Sequence, residues 1–334
     1  METLRRLSAV LIAAYLLALT AYLLLRVVLG GGPWWLAMLN NFAPYFFLPL
    51  VALALWALVA RLHLRFVLLP LILLMVGLVW FGPRFAPRPA AAPAEKTLKV
   101  VTINLWVRNQ QLDLTEAWLR EQDADVVLLQ EAYHDIAARL SDLYPYTLPD
   151  PALPQGQDRQ ILSRYPFVDA FWDSGYVRSV VNVDGTPIAV YNVHFGVPFV
   201  NQPRYGLESL PYPLSMMIRY NESPRNEQIR AMLARLDAEE TLPAVIAGDF
   251  NTSDNSAMYP VIAEQLTDSF REVATGLGTT WPVGSSLPLA LPLPPLMRID
   301  YVWHTGGLRA LDVRVGPEVG SDHRPLVAVL ALPD

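Results

Sequence analysis

No cysteine occurs among the 334 residues, which removes disulfide scaffolds, thiolate nucleophiles and Cys-ligated zinc from consideration. Charge is the next shortage. Only 8 of the 25 basic and 2 of the 31 acidic residues fall in residues 1–97, leaving 17 basic and 29 acidic residues, a balance of −12, for residues 98–334. An acidic domain with no cluster of Lys or Arg disfavours a nucleic-acid partner, because affinity for a polyanion comes mostly from neutralised phosphates. The long apolar runs before residue 82 contain no internal carboxylate or Lys. Ion-coupled transport therefore has no chemical basis in them. No internal repeat of fixed period is present, and nothing in the sequence specifies a protein partner.

What is present divides sharply. A hydrophobic fraction of 53% and mean hydropathy of +0.29 come largely from residues 1–81, where three apolar stretches predict three transmembrane helices. Residues 7–30 are long enough to cross about 30 Å of hydrocarbon. They exceed a signal-peptide core and lack a clear small-residue cleavage site, so the helix is expected to be retained. The second span is expected from about Trp34 to Ala60 and the third from about Phe66 to Phe81, with Trp34, Trp35, Trp80 and Phe81 at interfacial depth. Asn40 and Asn41 lie within the second stretch, where interhelical hydrogen bonding accounts for them. Arg5, Arg6, Arg61 and Arg65 mark the cytoplasmic side by the positive-inside rule, so three crossings deliver the rest of the chain outside the plasma membrane. Residues 82–97 are rich in Pro and Ala and read as a semi-rigid linker.

From residue 98 to 334 the pattern changes to β-runs such as "LKVVTINL", "DVVLLQE", "PIAVYNVHF", "PAVIAGDF" and "RPLVAVLAL", broken by turn residues, with helical spacing in "TEAWLREQ" and "RNEQIRAMLARLDA". Strands outnumber helices and do not alternate with them one for one. That points to an α+β fold rather than a doubly wound parallel sheet.

Six of these strands carry polar groups at their ends that a packed core would not select. They are Asn104, Glu131, His194, the pair Asp249 and Asn251 in "AGDFN", Asp300 in "RIDYVW", and Asp322 with His323 in "GSDHRPL". One strand-end Asp or Asn is ordinarily a turn former. Four acids, two amides and two imidazoles gathered at strand ends suit a site built on a rigid sheet.

These motifs, in this order and with "ILSRYP" and "GTTWP" between them, resemble the endonuclease/exonuclease/phosphatase superfamily, which includes deoxyribonuclease I, abasic-site endonucleases, inositol polyphosphate phosphatases and neutral sphingomyelinases. The resemblance implies a four-layer α/β sandwich of two packed mixed β-sheets with flanking helices. It also implies roles. Asn104 and Glu131, joined by Asp322, offer hard oxygen ligands suited to Mg²⁺ or Mn²⁺. Asp249 would orient or deprotonate the attacking water, with Asn251 beside it. His194 and His323 would face the phosphate, and Asp300 would orient His323 and keep it cationic. Arg225 and Gln228, in "RNEQ", fit a helix motif of the same superfamily, as scaffold or as secondary phosphate contacts. His63, His134 and His304 read as surface or packing residues.

Two segments next to the site, residues 195–224 and 282–297, are rich in Leu, Pro, Met and aromatics. Exposed apolar loops are costly unless they meet a partner or a bilayer. With three spans ahead of it, the whole layout is similar to the bacterial glycopeptide-resistance membrane phosphatases of the VanJ type, which implies hydrolysis of a lipid-linked phosphate or pyrophosphate such as undecaprenyl pyrophosphate. A sphingomyelinase-like phospholipid phosphodiesterase is the nearest alternative, and a membrane-tethered extracellular nuclease the next.

Overall fold

Apolar residues at every position, rather than at alternate ones, mark a strand covered on both faces. Val126–Gln130 is buried along its whole length, as are Ala244–Asp249 and Asp300–His304. The computed structural model describes residues 2–149, 158–199, 217–284 and 294–333. These fall into two compact units, the first made chiefly of Met1–Ala86 and the second of Pro87–Gln202, Asn221–Asp254 and Met258–Asp334.

The second unit contains twelve strands among the described residues: β1 (Thr97–Asn104), β2 (Val126–Gln130), β3 (Tyr146–Pro149), β4 (Arg159–Ser163), β5 (Phe167–Asp173), β6 (Tyr176–Val183), β7 (Thr186–His194), β8 (Ala244–Asp249), β9 (Thr267–Asp268), β10 (Asp300–His304), β11 (Arg309–Val315) and β12 (Leu326–Ala331). They form two six-stranded sheets, ordered β11-β12-β1-β2-β4-β3 and β5-β6-β7-β8-β10-β9. Each sheet is mixed. Its one parallel pair, β1 with β2 or β7 with β8, lies near the centre and antiparallel strands flank it.

Three separate apolar clusters show how many layers there are. Leu98, Val100, Val126, Leu128, Val190, Val245 and Val302 meet between the sheets. On the outer face of the first sheet, Val101, Ile103, Val127 and Leu129 pack on Trp118 and Leu119. On the outer face of the second, Ile246, Tyr301 and Trp303 pack with Ile229, Met232 and Leu233. Three interlayer spaces require four layers, helix–sheet–sheet–helix. The outer helices are Leu112–Gln122 and Ser223–Glu239.

The first unit holds α1 (Glu2–Leu29), α2 (Trp34–Asn40), α3 (Pro49–Val59) and α4 (Arg65–Phe81). Its own core contains Ile12, Leu16, Leu36, Phe47, Leu50 and Phe81. Phe47 can approach α4 because position 77 is Gly, where a Cβ would lie 2.4 Å from the Phe47 ring. Leu17, Leu24, Val27, Leu58, Val59, Ile72 and Val79 face outward, so these helices are apolar all round. Glu2–Leu29 and Arg65–Phe85 are long and apolar enough to cross a membrane. The expected second span is not one straight helix: Trp34–Asn40 and Ala43–Val59 meet at 74°, giving three spans only if this bent pair is one. Pro44 and Pro49 lack the N–H groups a continuous ladder needs, and the Asn41 amide turns back on the Ala37 and Met38 carbonyls.

Candidate active site

Side chains alternate across a strand, so parity decides which groups enter the gap between the sheets. In β1 the gap-facing series runs Leu98, Val100, Thr102, Asn104. In β7 it runs Ile188, Val190, Asn192, His194, and in β8 Val245, Ala247, Asp249. Each series is apolar deep in the gap and polar at its rim. Two groups reach that rim in the opposite chain direction. Asp300 begins β10 rather than ending a strand, and Asp322 and His323 precede β12. Because β10 runs antiparallel to β8, Asp300 pairs with Asp249, and because β12 runs antiparallel to β1, Leu326 pairs with Thr102. Antiparallel pairing thus places strand starts beside strand ends.

The first sheet contributes Asn104, Glu131 and the Asp322 loop. Asn104 is 1% exposed; its Nδ2 donates to Glu131 Oε1 at 3.2 Å, and its Oδ1 accepts from the Trp106 N–H at 2.9 Å. The other Glu131 oxygen accepts from the Val107 N–H at 2.8 Å. Glu131 has φ +48°, a left-handed conformation that costs a residue with a Cβ roughly 1–2 kcal/mol and is held here by those bonds on its carboxylate. Ser321 ties the last piece in, donating from Oγ to the Asn104 carbonyl at 2.6 Å and accepting from the His323 N–H at 3.0 Å. Asp322 accepts from the Trp281 indole at 3.3 Å. Burial raises its pKa, and the charges of Glu131 and Asp300 add to that against the opposing pull of His323 and the indole.

The second sheet brings Asp249, Asn251 and the two imidazoles together. Asp249 accepts from the Asn251 N–H at 2.8 Å and, across the gap, from Asn104 Nδ2 at 3.1 Å. Burial raises its pKa to about 6, a rise moderated by His323 and His194. His194 Nε2 lies 3.9 Å and His323 Nε2 3.8 Å from Asp249 Oδ2. Each ring is held from behind by its own carboxylate. His323 Nδ1 meets Asp300 Oδ2 at 2.9 Å and His194 Nδ1 meets Asp158 Oδ1 at 2.9 Å. Burial works against charging either ring, but the carboxylates outweigh it: Asp300, Asp249 and Asp322 push His323 up to about 10, and Asp158 raises His194. All eight site residues expected from sequence therefore belong to one constellation.

Three further contributors were not singled out in the sequence. Asp158 precedes β4 and resembles an ordinary turn acid. Gln130 and Asn192 sit one residue below Glu131 and two below His194, polar interruptions of the apolar runs "VVLLQ" and "PIAVYNVH" that could have drawn notice. Arg225 and Gln228 serve as scaffold. Arg225 donates to the Asn251 carbonyl, while Gln228 accepts from the Gly196 N–H at 3.0 Å and donates to Ser174 Oγ at 2.9 Å. His134 packs on the Trp106 carbonyl and His304 on Glu272. Of the two apolar loops, residues 200–216 and 285–293 lie outside the described residues.

The family model of the endonuclease/exonuclease/phosphatase family matches residues 101–323, more than half of the chain and every residue of this constellation. The chain belongs to that family. The endonuclease/exonuclease/phosphatase family is generally hydrolytic, with nucleases, phosphatases and phosphodiesterases among its members. No curated protein matches the chain in sequence. Solved structures share the fold. A family protein from Beutenbergia cavernae is 23% identical with a TM-score of 0.53, covering 72% of each chain. One from Bacteroides vulgatus is 18% identical with a TM-score of 0.54, covering 71% of this chain and 100% of its own. A double-mutant Staphylococcus aureus beta toxin, 16% identical with a TM-score of 0.52 and covering 70% of this chain and 99% of its own, carries bound magnesium ions.

Family members bind divalent metals, and the residues here fit such an ion. Glu131, Asp249, Asp300, Asp322 and Asp158 place five carboxylates around two imidazoles, an excess of negative charge that a divalent cation offsets. Asp249, Asp300 and His323 offer atoms within 4.8 Å of one another, a spacing compatible with an ion. In that group the His323 Nδ1 already meets Asp300 Oδ2 at 2.9 Å, which leaves Nε2 as its outward-facing nitrogen. Glu131, Asn104 and Asp322 offer only oxygens, which Mg²⁺ prefers.

Proposed function

We propose that this protein is a membrane-tethered, divalent-metal-dependent phosphoesterase that hydrolyses a phosphate or pyrophosphate of a membrane lipid, most simply an undecaprenyl-pyrophosphate-like substrate, on the extracytoplasmic face. The observation that carries the phosphoesterase reading is the convergence of Asn104 and Glu131 from one sheet with Asp249, His194 and His323 from the other, joined by the 3.1 Å bond from Asn104 to Asp249.

The residues divide the work by their proton affinities. At neutral pH Asp249, with a pKa of about 6, is mostly ionised and takes a proton from water, while Asn251 holds that water against the phosphorus. As the water oxygen bonds to phosphorus, the bond to the leaving oxygen breaks. His323, cationic through neutral pH, donates its Nε2 proton to that oxygen, and Asp300 keeps the ring oriented. His194, held by Asp158, donates to a non-bridging phosphate oxygen. A divalent cation on Glu131, Asn104 and Asp322 would neutralise phosphate charge, including the charge that grows in the transition state.

Three features support a lipid substrate. Candidate membrane spans belong to the same chain. The segment after residue 97 is acidic, with a balance of −12. Val107, Tyr133 and Val197, each within three residues of Asn104, Glu131 and His194 respectively, are 49%, 41% and 60% exposed, an apolar rim suited to an acyl or isoprenoid chain. The outward orientation is supported by Arg5 donating to the Arg61 carbonyl, which puts Arg5, Arg6, Arg61 and Arg65 on one side of the helical unit.

The test is product analysis after incubating the purified full chain with undecaprenyl pyrophosphate, phospholipids, inositol phosphates, and single- and double-stranded DNA, each with and without EDTA. Released phosphate is followed for undecaprenyl pyrophosphate and the inositol phosphates, released head group for the phospholipids and shortened strands for DNA. Turnover is expected with the lipid and only when Mg²⁺ or Mn²⁺ is present. Asp249→Ala and His323→Ala are each expected to lower kcat by at least about 10²-fold. Cleavage of DNA without lipid turnover would reject the lipid reading.

A further inference from the structure

Beneath the rim, the two sheets touch mainly through Val100, Leu128, Val190, Val245 and Leu326. Apolar contact of this kind resists separation but is non-directional, so it tolerates sliding. The chemistry tolerates little sliding, because the groups that act on one phosphorus are split between the sheets. Displacement of a reacting group by about 1 Å can cost 10²-fold in rate.

One layer below the site, the contact changes character. Gln130 at the end of β2 and Asn192 in β7 are both fully buried. Gln130 Nε2 donates to Asn192 Oδ1 at 2.7 Å, and Asn192 Nδ2 donates to the main-chain carbonyls of Leu129 at 2.9 Å and Gln160 at 3.0 Å. One side chain of the second sheet is thus fastened to two strands of the first. Gln130 is braced in turn by Thr102 Oγ1 at 3.1 Å. Stability gives little reason for this arrangement, since a satisfied buried polar pair contributes little net and same-shape apolar replacements are often neutral or stabilising. Geometry gives a better one. Gln130 is covalently next to Glu131, and Asn192 lies two residues from His194 on the same gap-facing series.

We propose that Gln130 and Asn192 form a latch between the sheets that sets the spacing of Glu131 on one side from His194 and Asp249 on the other. They are positioning residues that touch neither phosphate nor cation. The cost in turnover rests on the phosphoesterase reading above; the slack that follows breaking the latch does not.

The experiment uses the full chain in detergent with Gln130→Met, Asn192→Leu, both together, and the exchange Gln130→Asn with Asn192→Gln, which keeps a paired amide of the same total length. Each single change is expected to lower kcat about tenfold or more with KM within about twofold, the pattern of a lost transition-state alignment. The apolar double variant should be no slower than the slower single, and its Tm should stay within about 5 °C of wild type. A purely structural pair would instead move Tm and kcat together. The exchange variant should be faster than the apolar double. Amide hydrogen exchange at Val107 and Asn251, whose N–H groups bond Glu131 and Asp249, supplies a readout independent of any substrate and should quicken when the latch is broken. Unchanged exchange at both amides, or wild-type kcat in the apolar double variant, would overturn the latch. Quickened exchange in a protein that hydrolyses no lipid would leave the latch standing and remove the substrate assignment.

Discussion

At the residue scale, His323 is the most strongly perturbed ring of the site, and its behaviour has a definite sign. Burial lowers its affinity for a proton, Asp300 and Asp249 raise it, and the carboxylates win, lifting the pKa from an ordinary 6.5 to about 10. Such a ring contributes stability that is fully present below 6.5 and lost as pH rises through about 10. The ring stays cationic through neutral pH, so the alkaline limb of kcat/KM in the Mg²⁺-loaded enzyme is expected above neutral pH, below the metal-free value because a cation on Asp322 opposes the charged ring. Asp300→Asn removes a hydrogen-bonded charge at 2.9 Å, and the alkaline limb is expected to move down by at least about one pH unit. A limb that stays in place in the pH–rate profile would show that another group donates the proton. The residues that converge at the rim were legible in sequence because a carboxylate or amide at the tip of an apolar run is out of place. Asp158 was not, since an acid after a polar, Pro-containing stretch looks like any turn residue, and only folding reveals that it backs His194.

At the element scale, β8 is the strand on which most depends, and its glycine is obligatory. Gly248 has φ +141°, and a Cβ there would stand 2.0 Å from the Val193 carbonyl oxygen of the adjacent parallel strand. Gly248→Ala should therefore force β7 and β8 apart directly under His194 and Asp249. The expected loss is about 2–4 kcal/mol of stability, read as a lowered urea midpoint with unchanged slope; a midpoint equal to wild type would contradict the close approach. The central strands were readable as continuous apolar runs because both faces are covered. Three others were not. β3 and β9 are short, and β5, "FVDAFWD", is an edge strand with several exposed positions and no clean alternation. The second apolar stretch was legible in its hydropathy but not in its path. Composition predicts one span from Trp34 to Ala60, but hydropathy is blind to a bend made by Asn41, Pro44 and Pro49.

At the scale of the whole molecule, the helical core and the three cores of the sandwich have no residue in common among the described residues. Residues 87–334 expressed without the helices are expected to unfold in one cooperative transition and to retain turnover of a soluble phosphate or pyrophosphate ester, while losing most of their rate on substrate in vesicles. Thermal unfolding followed by paired soluble and vesicle assays reads both expectations. Failure of the truncated chain to fold would mean that the helices do more than tether.

Parity in the strands fixes which groups face inward at the rim, while the exposed apolar groups nearest it in the chain, Val107, Tyr133 and Val197, ride on the connections between strands. On the function proposed above, reaction type and molecular preference are consequently written in different parts of the chain. Grafting those connections from another member of the family is a route to retargeting the enzyme while its hydrolytic machinery stays untouched.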